Sequence, residues 1–199
     1  MIKQHNVYWI QILPLLLGGS ALLFSEWDTL LASIYLTING LLFLLTIYSY
    51  MTYRHNDPRW YALILVVNGN AAAFFTFMSS WRLLGETLLV GGIYFFIYIV
   101  SLIIVHVHNE KVANAIFGLS KKGKWFLWIT LGALCISPST YAGARALSGI
   151  GGSIVSIIYS ISFFAIAIFF IAVFHSLTVK MRKPNWRVQG DTKDIDLED

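Results

Sequence analysis

Three histidines carry the most versatile side-chain chemistry in this chain. His106 and His108 stand two positions apart, and His175 follows much later. Imidazole nitrogens bind transition metals and haem iron, and they exchange protons near neutral pH. Residues two apart on a helix point to different sides, and only Glu110 adds a carboxylate beside the pair. The spacing therefore favours ordinary polar residues over a ligand set. We predict no bound metal or cofactor, and haem or metal binding through these histidines is the third of three functional hypotheses.

Three asparagines form the second group. Asn39, Asn68 and Asn70 lie near the middle of long apolar stretches, with Gly40 and Gly69 beside them. An amide in hydrocarbon needs partners, so we expect Asn39 to bond across to the next helix and all three to share one depth. Such bonds contribute about 0.6 kcal/mol on average, and small neighbours let helices approach. The pattern favours packing between helices, and a polar solute site at mid-membrane is the alternative.

Other reactive side chains do not assemble into a recognisable site. The serines at 137–139 have no histidine or aspartate near them in sequence, whereas a nucleophile needs its base within reach. Arg82 and Arg145 are expected to flank an entrance, to hold an anionic headgroup, or to reach the membrane interface with their charged ends. No Asp, Glu or Lys lies deep in an apolar stretch, which disfavours ion-coupled transport. The sequence therefore predicts no catalytic residues and a protein that is not an enzyme.

The elements that must position these residues are membrane helices. Charged residues make up 12% of the 199 residues, where a soluble domain carries about 25%. The apolar residues come in runs of roughly 20, which is the length a helix needs to cross the hydrocarbon core. The fold class is therefore all-α, a polytopic bundle over residues 1–179 followed by a disordered tail at 180–199. We predict six transmembrane helices, at about 7–24, 29–50, 60–80, 86–106, 125–147 and 153–178.

The fifth of these spans is the least regular. Pro138 interrupts it, and the run from 137 to 152 is rich in Ser, Ala and Gly. Proline removes a helical hydrogen bond, so one kinked helix is expected. A short helix followed by a partly re-entrant segment is the second interpretation, because non-helical backbone survives at depth where protein buries it.

Orientation follows from the basic residues. In the six-span arrangement, twelve of the fourteen Lys and Arg residues lie on the side of both termini, and Arg82 and Arg145 lie on the other. Basic loops stay cytoplasmic, so both termini are predicted to be cytoplasmic and the chain to reside in the cell membrane. A five-span alternative would place the basic tail outside. The twelve are Lys3, Arg54, Arg59, Lys111, Lys121, Lys122, Lys124, Lys180, Arg182, Lys183, Arg187 and Lys193.

The segment from 107 to 124 is the longest connection between spans. Apolar residues lie there between Lys111 and a cluster of three lysines at the end of the segment. Such a composition is typical of a short helix at the inner membrane surface, where lysines meet anionic headgroups. The alternative, to which we give equal weight, is a solvated loop whose lysines stay on the cytoplasmic side of the membrane.

Three functions fit this pattern. The first is a non-enzymatic helix-bundle subunit that associates with partner chains or with itself and contacts anionic lipid at its inner face. The alternative is a small channel or facilitator for an uncharged or weakly charged solute, lined by the three asparagines. Binding of haem or metal comes third. Nucleic acid is not an expected partner.

Overall fold

The computed structural model describes residues 9–23, 29–118, 153–184 and 186, and the secondary structure of these residues is helical. A 3₁₀ turn (Arg54–Asn56) follows the second helix, and a π turn (Ile171–His175) extends the sixth. The all-α prediction is confirmed for this part of the chain. The helices are α1 (Trp9–Leu23), α2 (Thr29–Met51), α3 (Pro58–Leu83), α4 (Leu88–Val107), α5 (Asn109–Phe117), α6 (Ser153–Phe170) and α7 (Thr178–Arg182).

Among the described residues, four helical segments are long and apolar enough to cross a membrane. They are Thr29–Met51, Pro58–Leu83, Leu88–Val107 and Ser156–Arg182, the last combining α6, the π turn and α7. Within α1 a shorter apolar stretch runs from Ile10 to Gly19. These segments match four of the six predicted spans, and a membrane-embedded helical protein is supported. The total of six spans, the orientation and the identity of the membrane remain predictions.

Several predicted features lie outside the described residues. They include the fifth span with Pro138, the lysine cluster at 121–124, the side chain of Arg145 and most of the acidic tail.

Helix α3 is the centre of the bundle. It packs most extensively against α6 and α1, and also contacts α2, α4 and the π turn. Of the residues in its apolar 18-residue stretch, 67% are buried, whereas the share in the corresponding stretch of α4 is 11%. Yet α3 has the lowest mean hydropathy of the four candidate spans, and α4 shares the highest. The bundle therefore keeps its more polar helix inside and its more apolar helix outside.

The start of α3 is set by local chemistry. Asp57 caps the helix, its side chain accepting a hydrogen bond from the Arg59 backbone N–H at 2.9 Å, and Pro58 occupies the first turn, where its missing N–H is not needed. The preceding Arg54 guanidinium lies 4.6 Å from the ring centroid of Trp60. This short connection makes α2 and α3 antiparallel neighbours.

Helix α5 follows α4 after His108 alone. Ala113 on its inner side is fully buried, and Asn109 donates from its amide to the hydroxyl of Thr178 at 3.0 Å. The helical interpretation of this segment is therefore confirmed for Asn109–Phe117. Its place at a membrane surface stays a prediction.

Candidate functional site

The π turn brings the candidate site together. A π turn adds a residue to the helical repeat, and such turns often occur at functional sites. Here Phe174 packs against Gly69, so closely that a Cβ at position 69 would overlap the Phe174 ring. The same contact aligns His175 with Asn70, the next residue of α3. Gly69 thus allows the close approach that the sequence predicted for it, whereas a Cβ at Gly40 would meet no described atom within 4 Å.

Four polar side chains form a continuous chain of contacts from the core of the bundle to its surface. The amide of Asn70 lies 3.1 Å from Nδ1 of His175. Nε2 of His175 lies 3.1 Å from Nδ1 of His106, and Nε2 of His106 lies 3.0 Å from Nη2 of Arg182. Asn70 is half-buried, while His106 and Arg182 are exposed. We call these four residues the polar relay.

The position of each proton in the relay follows from Arg182. A guanidinium group can only donate, so Nε2 of His106 must accept. In neutral imidazoles, His106 then carries its proton on Nδ1 and donates to Nε2 of His175. His175 in turn carries its proton on Nδ1 and donates to Asn70, which must present its amide oxygen. This orientation requires the Asn70 amide to be rotated by half a turn, which exchanges the positions of its oxygen and nitrogen. The hydrogen-bond network decides between the two orientations.

A groove opens beside the relay on the outer side of α4. Its volume is about 280 Å³, and its lining is almost wholly apolar apart from the two imidazole edges. Lys183, the residue after Arg182, forms a 2.6 Å ion pair with Glu110. Among the described residues, no carboxylate pairs with Arg182. The groove is lined by Leu102, Ile103, His106, Val107 and His175.

The structure brings together two of the three candidate histidines. His106 and His175 meet, but Nδ1 of His108 lies 3.2 Å from the carbonyl of Ile104 in its own helix. In the described part of the chain, no group of three or more His, Cys, Asp or Glu side chains could hold a metal. The 3.1 Å distance between Nδ1 of His106 and Nε2 of His175 is that of a hydrogen bond.

The asparagine prediction is wrong in its central detail. Asn39 donates to the carbonyl of Tyr35, and Asn68 to that of Ile64, each four residues back in its own helix. Of the three, only Asn70 bonds to another helix within the described part of the chain, and its partner is His175. The reason is spacing: two residues on a helix are rotated by roughly 200°, so Asn68 and Asn70 face nearly opposite sides of α3.

Arg82 also differs from its predicted placement. Its side chain is buried, 4% exposed, and donates to the carbonyl of Ala21 at 3.0 Å and to Glu86 at 2.9 Å. It joins the end of α1 to the end of α3, because a guanidinium offers enough donors for an unpaired helix-terminal carbonyl and a carboxylate together. Arg82 therefore does not present its charge at an outer surface.

Two further interhelical contacts were not predicted. Gln11 of α1 donates at 2.6 Å both to the carbonyl of Leu42 and to the hydroxyl of Thr46 on α2. Ser80 of α3 and Ser160 of α6 each donate to the other's backbone carbonyl at 2.8 Å. A lone Gln in an apolar run was a usable signal. Ser80 and Ser160 carry no such signal, because serine is frequent in membrane helices and often bonds to its own helix.

Comparison of the chain with protein-family models, with curated proteins and with solved structures finds no match, so the interpretation of this site rests on its geometry.

Proposed function

We propose that this protein is a non-enzymatic helix-bundle subunit of a membrane, which packs through its outer helices with partner chains or with a second copy of itself. The observation that carries the proposal is the use of polar side chains at depth. Gln11, Ser80 and Arg82 each bond between helices and are at most 8% exposed. Such side chains hold a bundle together and leave little polar surface for a solute.

The outer helices support the same proposal. Leu36 and Leu44 on α2 and Phe96 on α4 are each more than 60% exposed. Lipid chains can cover these apolar surfaces, and a partner helix of similar composition can cover them equally well. Association of helices in membranes depends on shape and packing rather than on hydrophobicity. Gly92 on α4 offers a site of close approach, since a Cβ there would meet no described atom within 4 Å.

The facilitator hypothesis has weaker support. It needs the three asparagines along one hydrated path, but Asn68 is fully buried and Asn39 bonds to its own helix. The side-chain oxygen of Asn68 is buried and has no partner among the described residues, whereas that of Asn70 faces His175. Because the two side chains face opposite sides of α3, these oxygens do not line a common channel.

Photo-crosslinking tests the proposal. A photoreactive phenylalanine analogue would replace Phe96 on α4 or Leu36 on α2 in intact membranes, and Phe74, which packs against the core, is the matched internal position. We expect a discrete larger species from one outer position and none from Phe74. Mass spectrometry would identify the attached chain. Lipid adducts alone at both outer positions would contradict the proposal.

A flux assay separates the two hypotheses. Purified protein in liposomes should not raise the permeability to small uncharged solutes such as glycerol or urea. A raised permeability that Asn68→Leu abolishes would support the facilitator and contradict the subunit hypothesis.

A further inference from the structure

We propose that the groove beside the polar relay binds one anionic phospholipid, with its phosphate at Arg182 and one acyl chain along α4. This site goes beyond the subunit hypothesis, because it needs no partner chain.

The charge of Arg182 is the first argument. Its described contact is with a neutral imidazole nitrogen, which uses one of the five N–H donors of the guanidinium. The nearest ion pair joins Lys183 to Glu110, so that carboxylate is already occupied. Arginine binds phosphate through two parallel hydrogen bonds, which makes a phosphodiester a fitting ligand for the exposed donors.

The level of the site in the membrane is the second argument. The candidate span Ser156–Arg182 ends at Arg182, and α4 ends at Val107, one residue after His106. The guanidinium therefore lies where the hydrocarbon core gives way to headgroups. Phospholipid phosphates are concentrated at that depth, and basic residues there bind anionic lipids.

The shape of the groove is the third argument. Leu102 and Ile103 lie about one turn before His106 on α4 and form an apolar wall on the membrane side of the imidazoles, and Val107 lies at the end of the helix. Ile103 is 57% exposed, so this wall is open to lipid. A ligand with a charged head and an apolar tail matches both halves of this surface, whereas a free anion matches only one.

The relay gives Arg182 its orientation. His106 accepts from Nη2, and His175 and Asn70 hold His106 in turn. His106 is thus a positioning residue, because it holds the guanidinium of the exposed Arg182 through one of its N–H donors.

Native mass spectrometry of the full chain in detergent tests the site. The purified protein would be titrated with phosphatidylglycerol and, separately, with phosphatidylcholine. We expect phosphatidylglycerol to bind more tightly, and Arg182→Gln to weaken it about tenfold, the effect of losing one charge-assisted pair. Lys111→Gln removes an equal charge from the neighbouring helix α5 and should change the affinity by less than about twofold.

A second pair of variants tests the apolar half. Ile103→Trp fills the groove and should reduce phosphatidylglycerol binding, whereas Ile97→Trp, on another face of α4, should not. Both positions are exposed, so both variants are expected to fold.

Three results would overturn the proposal. Equal affinity for the two lipids would exclude recognition of the anionic head. Equal losses from Arg182→Gln and Lys111→Gln would indicate diffuse attraction instead of a site. Displacement of the lipid by millimolar inorganic phosphate, with no effect of Ile103→Trp, would show a site for free anions.

Discussion

Helices α3 and α4 are consecutive along the chain, yet they have opposite environments. The more polar α3 buries most of its residues, including Asn68, Thr76 and Ser80, each fully. The more apolar α4 leaves most of its side chains outside, among them Leu88, 88% exposed, and Phe96, 69% exposed. A protein folded in water would show the reverse, because burial of apolar surface drives its folding.

The difference teaches what stabilises this bundle. Lipid is as apolar as a leucine side chain, so burying α4 would bring little gain. Polar groups gain more by leaving lipid, because hydrocarbon offers them no hydrogen bonds. The central helix is therefore the one whose side chains have partners on α1 and α6, and close packing around its small residues adds van der Waals contacts.

The largest effect is expected from a matched pair of phenylalanines. Phe75 on α3 is fully buried, in edge-to-face contact with Tyr35 at 5.5 Å between ring centroids. Phe75→Ala should lower the free energy of unfolding by about 3 kcal/mol, because it leaves a cavity. Phe96→Ala on α4 should change it by less than about 0.5 kcal/mol, because its environment is lipid or detergent. Titration with a denaturing detergent measures both, and equal losses would contradict the contrast.

A pair of glycines gives the next largest effect. Gly69→Ala forces Phe174 away from α3 and should cost about 2 kcal/mol, as overpacking does. Gly40→Ala on α2 meets no described atom within 4 Å and should be neutral within about 0.5 kcal/mol. The same unfolding titration applies to both. A neutral Gly69→Ala would show that α3 and the π turn are not in close contact.

The smallest effect concerns hydrogen bonds between α3 and α6. A double-mutant cycle with Ser80→Ala and Ser160→Ala should give a coupling energy of about 0.6 kcal/mol, typical of membrane helices. Ser162 bonds to Ile158 in its own helix, so the same cycle with Ser162→Ala should give no coupling. Equal coupling in both cycles would remove the role assigned to the reciprocal serine pair.

Much of the fold was predictable from the sequence. Four apolar runs form helices whose ends lie within a few residues of the predicted ends, because the thickness of the bilayer sets the length of a helix that crosses it. Asp57 and Pro58 are a start signal for α3 that the predicted boundary at residue 60 did not use, and the two-residue spacing of His106 and His108 correctly indicated that they diverge. These features depend on local chemistry alone.

The site was predictable only in part. The same two-residue rule separates Asn68 from Asn70, so their divergence was also predictable from their spacing. The partner of Asn70 is 105 residues away, and a π turn aligns it. The burial of Arg82 was also not predictable, because one of its acceptors is a backbone carbonyl of α1. Every residue carries such a carbonyl, so the sequence gives no sign of this contact.

Spin labels introduced one at a time along α4, in protein reconstituted into bilayers, test the central claim most directly. We predict that labels at Leu89, Ile93 and Phe96 are accessible to molecular oxygen, which concentrates in lipid, and protected from a water-soluble nickel complex. Labels at Phe75 and Ala72 on α3 should be protected from both. Accessibility of the α4 positions to the nickel complex would contradict the claim that the highly apolar α4 faces lipid.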